Sequence, residues 1–431
     1  MAENFRVTVA RPNPQHSAQL AVGLQKSGLL ETYITGIYLS WEHIPMKFFR
    51  WLPLWFRNQI EVSIFSRYKR THSELNPNLV ISIDPWVNMA MALLHRAGVS
   101  APWQMSFFRR RLALFQEKVA HHSLENANIL IVYDTEAYHA LRSTQNTSLI
   151  RIVDMATIHW KTRDRVFREE AERWPEYSQS IDLPSNYPKH LEQLSIEAET
   201  ADYILVGSQL AKASFVENGC DPEKIYIAYY GCDTQLFQPG NERRSSDRPF
   251  NIIFVGSPSI AKGYHYMLMT LKGLQDLDLE VNCCGLSQRK GIQIESIGNI
   301  RVNSMGYRSQ EQLAQIMRKA DLLFHPSILD SFSLTCLEAM SSAVPVLTTN
   351  LVGASEIIDH ERDGFVVQSG DIEAMQSVVR FLYNNSQAKY QIGISAREKA
   401  LLHTWEDYQE DVVKIIKEIY FRNRNPGYLP G

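Results

Sequence analysis

Two carboxylates eight positions apart, Asp330 and Glu338, are the residues whose types and spacing most directly indicate chemistry. They follow an apolar run that predicts a strand over Leu322–His325, and the pattern after Asp330 predicts a helix over Ser333–Ser342. The first amides of such a helix lack intrahelical partners and carry the positive end of its dipole, which suits a diphosphate. Glu338 would then lie roughly 7–8 Å further along the axis, about the distance from a diphosphate to a ribose.

The position of Glu338 within this helix supports a binding role. It interrupts a stripe formed by Leu334, Leu337 and Ser341, where a carboxylate is costly unless hydrogen-bond donors reach it. Ribose hydroxyls would be such donors. A structural alternative is that Asp330 caps the helix and Glu338 pairs with an arginine, but the surrounding sequence favours the binding interpretation.

A second candidate loop runs from Gly256 to Gly263, after a strand predicted over Asn251–Val255. Ser257 follows the first glycine, and Lys262 precedes the second. A loop between a strand and the next helix is a common phosphate site in open α/β sheets. We therefore predict that Lys262 binds phosphate rather than being a solvated surface lysine.

Two histidines in the first half of the chain also follow predicted strands. His16 comes after the strand over Arg6–Ala10 and begins a helix, so it is a candidate for the cleft or else a cap or surface residue. His159 comes shortly after Asp154, which could orient its ring, and is a candidate hydrogen-bonding residue of the cleft. A satisfied core histidine beside Trp160 explains the same position equally well.

Short apolar runs alternate with helical patterns twice along the chain, which predicts parallel sheets with helices on both faces. Strands in the first half are predicted at Arg6–Ala10, Thr32–Ile37, Leu79–Ile83, Ile129–Tyr133, Leu149–Val153, Tyr203–Val206 and Ile225–Tyr229. Strands in the second half are predicted at Asn251–Val255, Glu280–Cys284, Ile300–Asn303, Leu322–His325, Val344–Thr348 and Phe365–Val367. A polar stretch over 233–249 separates the two halves.

The predicted fold is therefore α/β, with two Rossmann-like doubly wound domains facing a cleft. The first domain is predicted over 1–239 and the second over 240–404, with a C-terminal helix in 405–431 packing back onto the first domain. Open α/β sheets bind ligands at the carboxyl ends of their strands, so the cleft is the predicted site.

Composition limits the classes of function. The 431 residues carry a net charge of −3, with 45% apolar and 21% charged residues, which indicates a soluble protein with no general attraction to nucleic acid. No leader or run of 18 apolar residues is evident, and the five cysteines form no CxxC pair, so we predict a cytoplasmic protein without a disulfide framework or zinc site.

Residues 43–70 are rich in aromatic and cationic side chains, and Phe107 to Arg111 form a second small cluster of this kind. Such a composition fits peripheral contact with the inner face of a membrane, where arginines meet lipid phosphate. It fits slightly better a helical hairpin that packs its aromatic side chains on the first sheet.

The stretch around Asp330 and Glu338 resembles the E-x7-E motif of retaining GT-B glycosyltransferases of family 4, the glycosyl transferases group 1, with Asp330 in the first acidic position. Four further motifs resemble that family in order along the chain, namely Gly231 to Asp233 with Phe237 and Pro239, Pro345 to Thr349, Gly353 to Glu356, and Asp363 to Val366. The resemblance covers the whole second domain and is weaker in the first.

This resemblance implies transfer of a sugar from a nucleotide diphosphate to an acceptor hydroxyl with retention of configuration, in polysaccharide or glycolipid assembly. It implies a glycan or lipid-linked acceptor, and neither a metal nor a cofactor. Catalytic roles would fall to Asp330, Lys262 and His159. The donor would contact Gly256, Ser257, Lys262, Asp330, Ser331, Phe332, Ser333, Leu334 and Glu338, while His16 would lie on the acceptor side of the cleft.

One departure from the family concerns the residues that bind the diphosphate. Relatives usually carry an arginine where this chain has Ser257, so either the helix terminus or another cation, with Arg289, Lys290 and Arg308 as candidates, would have to compensate for it. Two other classes of function also fit the sequence. One is a nucleotide-sugar epimerase of the same fold, and the other is a catalytically degenerate binding protein.

Overall fold

The computed structural model describes residues 5–12, 16–36, 74–83, 101–180, 183, 188–240, 248–257, 259–285 and 297–424. The segment 43–70, predicted to touch a membrane or form a hairpin, lies outside these residues, as do Arg289 and Lys290. In the described part of the chain, no helix combines the length and the apolar character needed to cross a bilayer.

The first domain is built on a parallel sheet of seven strands in the order β3-β2-β1-β4-β5-β6-β7. Its strands are β1 Val7–Arg11, β2 Leu30–Thr35, β3 Val80–Ser82, β4 Ile129–Tyr133, β5 Ile150–Met155, β6 Tyr203–Val206 and β7 Ile225–Ile227. Its helices are α1 Ser17–Lys26, α2 Ala101–Asn126, α3 Tyr138–Ser143, α4 Trp160–Arg173, α5 Pro188–Thr200 and α6 Gln209–Val216.

The second domain repeats this plan with six parallel strands in the order β10-β9-β8-β11-β12-β13. Its strands are β8 Phe250–Val255, β9 Leu279–Cys284, β10 Arg301–Gly306, β11 Leu322–His325, β12 Val346–Thr349 and β13 Phe365–Val367. The remaining helices are α7 Tyr264–Lys272, α8 Gln310–Met317, α9 Leu334–Ser341, α10 Ile372–Asn384, α11 Ser386–Ala400 and α12 Trp405–Arg424. The predicted pair of Rossmann-like domains is confirmed.

Strand ends differ from the prediction where pairing extends beyond the apolar run. β2 begins at Leu30 because β1 pairs its first residue, Val7, with Leu30. β10 continues to Gly306 because an irregular register pairs that glycine with Cys284 at the end of β9. Hydrogen bonding along the neighbouring strand, which apolar periodicity does not encode, sets these ends.

The chain passes between the domains at two adjacent points. Cys232 donates its amide to the carbonyl of His403 at 3.1 Å and forms a parallel bridge with Thr404. A Cβ at Gly231 would lie 2.1 Å from the Thr404 carbonyl oxygen, so the two strands of chain can approach this closely only with glycine here. This paired crossing places the two sheets on either side of a cleft.

α12 returns to the first domain and packs along α1. The Gln409 side chain donates to Gln19 at 2.7 Å and accepts from Lys26 at 3.0 Å. At the end of the helix, the Tyr420 ring stacks on Phe5 with centroids 4.1 Å apart. The helix therefore joins the two ends of the described chain on one face of the first sheet.

The Phe5–Tyr420 stack gives a test of this docking. Tyr420→Leu removes the aromatic pair while keeping an apolar side chain, and we expect the free energy of unfolding in urea to fall by about 1 kcal/mol. Tyr390→Leu, at a site that is 60% exposed, should change the free energy of unfolding by less than about 0.5 kcal/mol. Equal effects of the two substitutions would show that α12 is not held by this contact.

Candidate donor site at the domain cleft

The loops after β8 and β11 are brought together by one glycine. Gly263, at the start of α7, has φ +67°, and a Cβ there would lie 1.7 Å from the carbonyl oxygen of Pro326. Only glycine combines this left-handed conformation with so close an approach. The contact carries Lys262, the residue before it, to the loop that contains Asp330.

Lys262 and Asp330 form a direct ion pair at this meeting point. The Lys262 Nζ lies 2.5 Å from Asp330 Oδ2, and the Nε2 of the buried His325 lies 3.5 Å from the same oxygen. Burial raises the pKa of the Asp330 carboxyl, but Lys262 and His325 outweigh it and leave the pKa below its ordinary value. Asp330 is therefore an anion at neutral pH, and His325, whose pKa burial lowers, is neutral.

The start of α9 faces the same place. Its N-cap, Ser333, has φ +76° and makes no side-chain capping bond, so the first amides of the helix are left for other partners. Ser333, Leu334 and Thr335 are partly exposed. A non-glycine residue held in the left-handed region is strained, and such strain concentrates at functional sites.

Ser331 and Phe332 face the first domain. The Ser331 hydroxyl donates to the carbonyl of Ala156, and the buried Phe332 ring packs against Tyr229 and Tyr230. The Phe332 amide points back to Asp330 Oδ1 at 3.4 Å. Ser331 and Phe332 were both predicted to contact the sugar nucleotide, and both already have partners within the protein.

Glu338 lies one to two turns into α9 and is 8% exposed. Its carboxylate makes no hydrogen bond or ion pair with the described residues, and burial raises its pKa to about 7. The structural alternative is therefore absent from this part of the chain, because Asp330 does not cap α9 and no arginine pairs with Glu338. Burying a carboxylate without hydrogen-bond donors lowers the stability of the folded protein, so such a group is expected where a ligand supplies the donors.

Gly256, the first residue after β8, packs against the side chain of Lys262. A Cβ on Gly256 would lie 3.2 Å from Lys262 Cγ, so the two residues are brought together, while Ser257 is exposed beside them. Among the proposed replacements for the missing arginine, Arg308 follows the end of β10 and is partly buried. It acts electrostatically on Cys284 at the end of the adjacent β9. Arg308 thus lies at the carboxyl edge of this sheet, the same edge as the loop of Lys262.

His159 has a structural task at the start of α4. Its Nδ1 accepts the Lys161 amide at 3.3 Å as the helix N-cap, and its ring packs against Trp160 and Phe215. Burial lowers its pKa to about 4, with Lys161 adding to the effect. No hydrogen bond or ion pair among the described residues joins His159 to Lys262 or Asp330, so the structure does not bring these predicted catalytic residues into contact.

His16 belongs to a buried polar cluster under the cleft in the first domain. Its Nε2 lies 3.0 Å from Asp154 Oδ2, and its ring lies between those of Tyr133 and Tyr230. Arg11, at the end of β1, stacks over the same Tyr133 ring. The His16–Asp154 pair was not expected from the sequence, since the two residues are 138 positions apart.

A cavity of about 350 Å³ opens between the domains next to this site. Its first-domain wall includes Thr162 and Val166 of α4 and Leu210 of α6, and Ile328 and Leu329 from the loop before Asp330 form part of the opposite wall. No cluster of His, Cys, Asp or Glu suited to a metal ion occurs within the described ranges.

Comparison with known proteins identifies the second domain. Residues 240–399 match the family described as glycosyl transferases group 1. The chain is 26% identical over 245 residues to the D-inositol 3-phosphate glycosyltransferase of Corynebacterium urealyticum, covering 51% of this chain and 58% of that protein. It is 24% identical over 291 residues to the MMP alpha-(1->4)-mannosyltransferase of Mycolicibacterium hassiacum, covering 64% and 69% of the two chains.

Solved structures extend the likeness in fold to the whole chain. Sucrose-phosphate synthase from Thermosynechococcus elongatus superposes with a TM-score of 0.66 at 14% identity, covering 97% of this chain and all of that one. HepE from Anabaena, solved in complex with UDP, superposes with a TM-score of 0.61 at 14% identity, covering 96% and 100%. The chain therefore has the GT-B fold, and its second domain matches the family described as glycosyl transferases group 1.

Proposed function

We propose that this protein is a retaining glycosyltransferase that moves a sugar from a nucleoside diphosphate to an acceptor hydroxyl. The single observation that carries the proposal is the arrangement around α9. Lys262 and the open helix amides at Ser333–Thr335 lie at one end, and the buried, unpartnered carboxylate of Glu338 lies further along the helix. The cation and the helix amides suit a diphosphate, and the carboxylate suits the hydroxyls of a ribose.

In the proposed complex, the diphosphate binds between Lys262 and the first amides of α9, and the ribose hydroxyls donate to Glu338. Arg308 supplies the second cation in place of the usual arginine, since it follows β10 at the carboxyl edge of the same sheet, two strands from β8. Asp330, anionic and fixed by Lys262 and His325, accepts hydrogen bonds from hydroxyls of the donor sugar.

The proposed chemistry is attack by the acceptor oxygen on the anomeric carbon from the face that the diphosphate leaves. The bond between the anomeric carbon and the phosphate oxygen breaks, and the departing oxygen takes the acceptor proton. Negative charge grows on the diphosphate during this step, and Lys262 and the α9 amides are positioned before the reaction to stabilise it. Because protein groups supply this positive charge, we propose that transfer needs no metal.

The acceptor is proposed to be a glycan or a lipid-linked saccharide that enters from the first domain. The two relatives are named as a D-inositol 3-phosphate glycosyltransferase and an MMP alpha-(1->4)-mannosyltransferase, and the chain spans only 58% of the first, so the acceptor is proposed only as a class. His16 and Asp154, which pair with each other in the first domain, would lie on this side of the cleft.

The proposal is tested by thermal unfolding with UDP, GDP and ADP, and then with the corresponding sugar nucleotides. We expect one nucleotide to stabilise the protein by about 2.7 kcal/mol at 100 times its Kd. Mass spectrometry after incubation with that sugar nucleotide and a glycan acceptor should show the acceptor heavier by one sugar, with EDTA making no difference.

The alternatives give other results in the same assays. An epimerase would change the sugar while it stays attached to the nucleotide, and a degenerate binding protein would bind nucleotide without any product. Absence of stabilisation by all three nucleotides would refute the donor site itself.

A further inference from the structure

The loop that carries Asp330 is attached to the first domain through a second acidic residue, Glu356. This residue lies in the 3-10 turn Gly353–Ile357 that follows β12. Its two carboxylate oxygens accept the amides of Gln209 and Leu210, at 2.9 and 2.7 Å, and also the hydroxyl of Tyr229 at 3.0 Å. A carboxylate of one domain therefore binds the first amides of α6 in the other.

The capping of α6 is complete only because of this residue. Its own N-cap, Ser208, accepts the amide of Ala211 at 3.0 Å, which leaves the amides of Gln209 and Leu210 to Glu356. These two amides carry the positive end of the helix dipole, so a carboxylate is a better partner for them than water. The contact thus adds an attraction between the domains that does not depend on a ligand.

The turn Gly353–Ile357 also lies along the loop that carries Asp330. Gly353 donates its amide to the Asp330 carbonyl at 2.9 Å, and Ala354 donates to the Phe332 carbonyl at 2.7 Å. A Cβ on Gly353 would lie 2.2 Å from the Ser331 carbonyl oxygen, which accepts the Ser208 hydroxyl at 2.6 Å. The backbone of the loop that carries Asp330 is therefore hydrogen-bonded to the turn that contains Glu356.

We infer that Glu356 is a positioning residue that couples docking of α6 to the shape of the loop carrying Asp330. When the first domain is docked, Glu356 and Ser208 hold the turn and the loop as one unit. When the first domain separates, α6 loses the two capping bonds from Glu356, and the loop loses the Ser208 hydroxyl that donates to the Ser331 carbonyl. The consequence for catalysis rests on the proposed function, whereas the coupling itself is a property of the apoprotein.

Hydrogen–deuterium exchange of the full chain tests the coupling through peptides over 208–217 and 326–334. In Glu356→Ala, we expect exchange in both peptides to rise about tenfold, because the two segments open together. Glu398→Ala is the matched control, since Glu398 is an exposed glutamate of the second domain in α11. It should leave both peptides as in the wild type.

The coupling is overturned if Glu356→Ala speeds exchange in 208–217 alone, because Glu356 would then be only a local cap. Should Glu356→Ala prove unfolded by its Tm, Glu356→Gln provides the same test, since it keeps an acceptor oxygen and loses the charge. A smaller rise in both peptides supports the inference, and a rise in one only contradicts it.

UDP as a probe separates this inference from the proposed function. In the wild type, UDP should slow exchange in both peptides, although only 326–334 lies at the donor site, and in Glu356→Ala it should protect 326–334 alone. Coupled opening in the apoprotein without any effect of UDP, GDP or ADP would refute the donor site and leave the coupling standing. If the two peptides open independently but a nucleotide binds, the coupling is refuted and the donor site stands.

Discussion

Lys262→Ala is expected to lower kcat/KM for sugar transfer by about 100- to 1000-fold, the usual effect of removing one preorganised group that stabilises transition-state charge. The Nζ of Lys262 lies 2.5 Å from Asp330 Oδ2 in the apoprotein, so the ammonium is held beside the proposed diphosphate site before the donor binds. Because the charge on the diphosphate grows during bond breaking, kcat should fall more than the affinity for the donor.

The control for this prediction is Lys272→Ala, which removes an exposed lysine from the other end of the same helix, α7. It should retain wild-type kcat/KM. If the two variants lose activity to the same extent, Lys262 acts only through the general charge of the domain and has no specific role.

The ion pair with Asp330 adds a second readout. Lys262→Ala leaves the buried Asp330 carboxylate without its cation, so the variant should also lose stability. Adding Asp330→Asn removes the unpaired charge and should restore the free energy of unfolding without restoring transfer. A double variant that recovers both would place Lys262 in a purely structural role.

The grouping of Lys262, Asp330 and Glu338 could be predicted from the sequence because their positions are set locally. Asp330 and Glu338 are eight residues apart on one strand, loop and helix, and Lys262 sits in the loop after the preceding central strand. Periodicity places such residues at the carboxyl ends of strands, and the topology of an open sheet brings those ends together. The position of Gly263 before a helix was visible as well, although its contact with Pro326 was not.

The groups missed in the sequence are those whose role depends on distant partners. His325 looked like the last residue of a strand, and only the bend of the following loop places its ring 3.5 Å from Asp330. Glu356 belonged to a recognised motif, but its partners lie about 130 to 150 positions earlier, in another domain. No pattern along one chain encodes such a contact.

His159 illustrates the opposite case, in which position after a strand did not decide the role. The strand-to-helix junction predicted both a sugar ligand and a structural residue, and the structure shows Nδ1 capping α4. Whether its other ring nitrogen reaches a donor sugar stays a prediction. A pKa of about 4 keeps the ring neutral at physiological pH, so it would serve as a hydrogen-bonding group and not as a cation.

Glu338→Gln is expected to stabilise the apoprotein and to weaken nucleotide binding, with both effects growing above pH 4.5 and largest above pH 7. The pKa of Glu338 is raised by burial from 4.5 to about 7, so the folded protein binds this proton more tightly than the unfolded chain. Stability from this group is therefore complete below pH 4.5 and is lost as the pH rises through 7. The glutamine carries no such charge, so at pH 8 it should exceed the wild type by about 3 kcal/mol.

Nucleotide affinity should change in the opposite direction. Ribose hydroxyls donate more strongly to a carboxylate than to an amide, so Kd for the nucleotide should rise about 10- to 100-fold in Glu338→Gln at pH 8. Binding to the wild type at pH 6 should release protons, because the ligand favours the ionised carboxyl, and the glutamine variant should release fewer. Calorimetry in buffers of different ionisation enthalpy measures this release.

These opposed effects distinguish a binding carboxylate from a structural one. A structural Glu338 would lose stability on substitution at every pH, and nucleotide affinity would follow the fraction of folded protein. Glu398→Gln, in an exposed position of α11, should change neither stability nor affinity at pH 5 or 8. A gain in stability that grows between pH 4.5 and 7, and is accompanied by weaker nucleotide binding, would show that Glu338 lowers the stability of the folded protein and contributes to ligand binding.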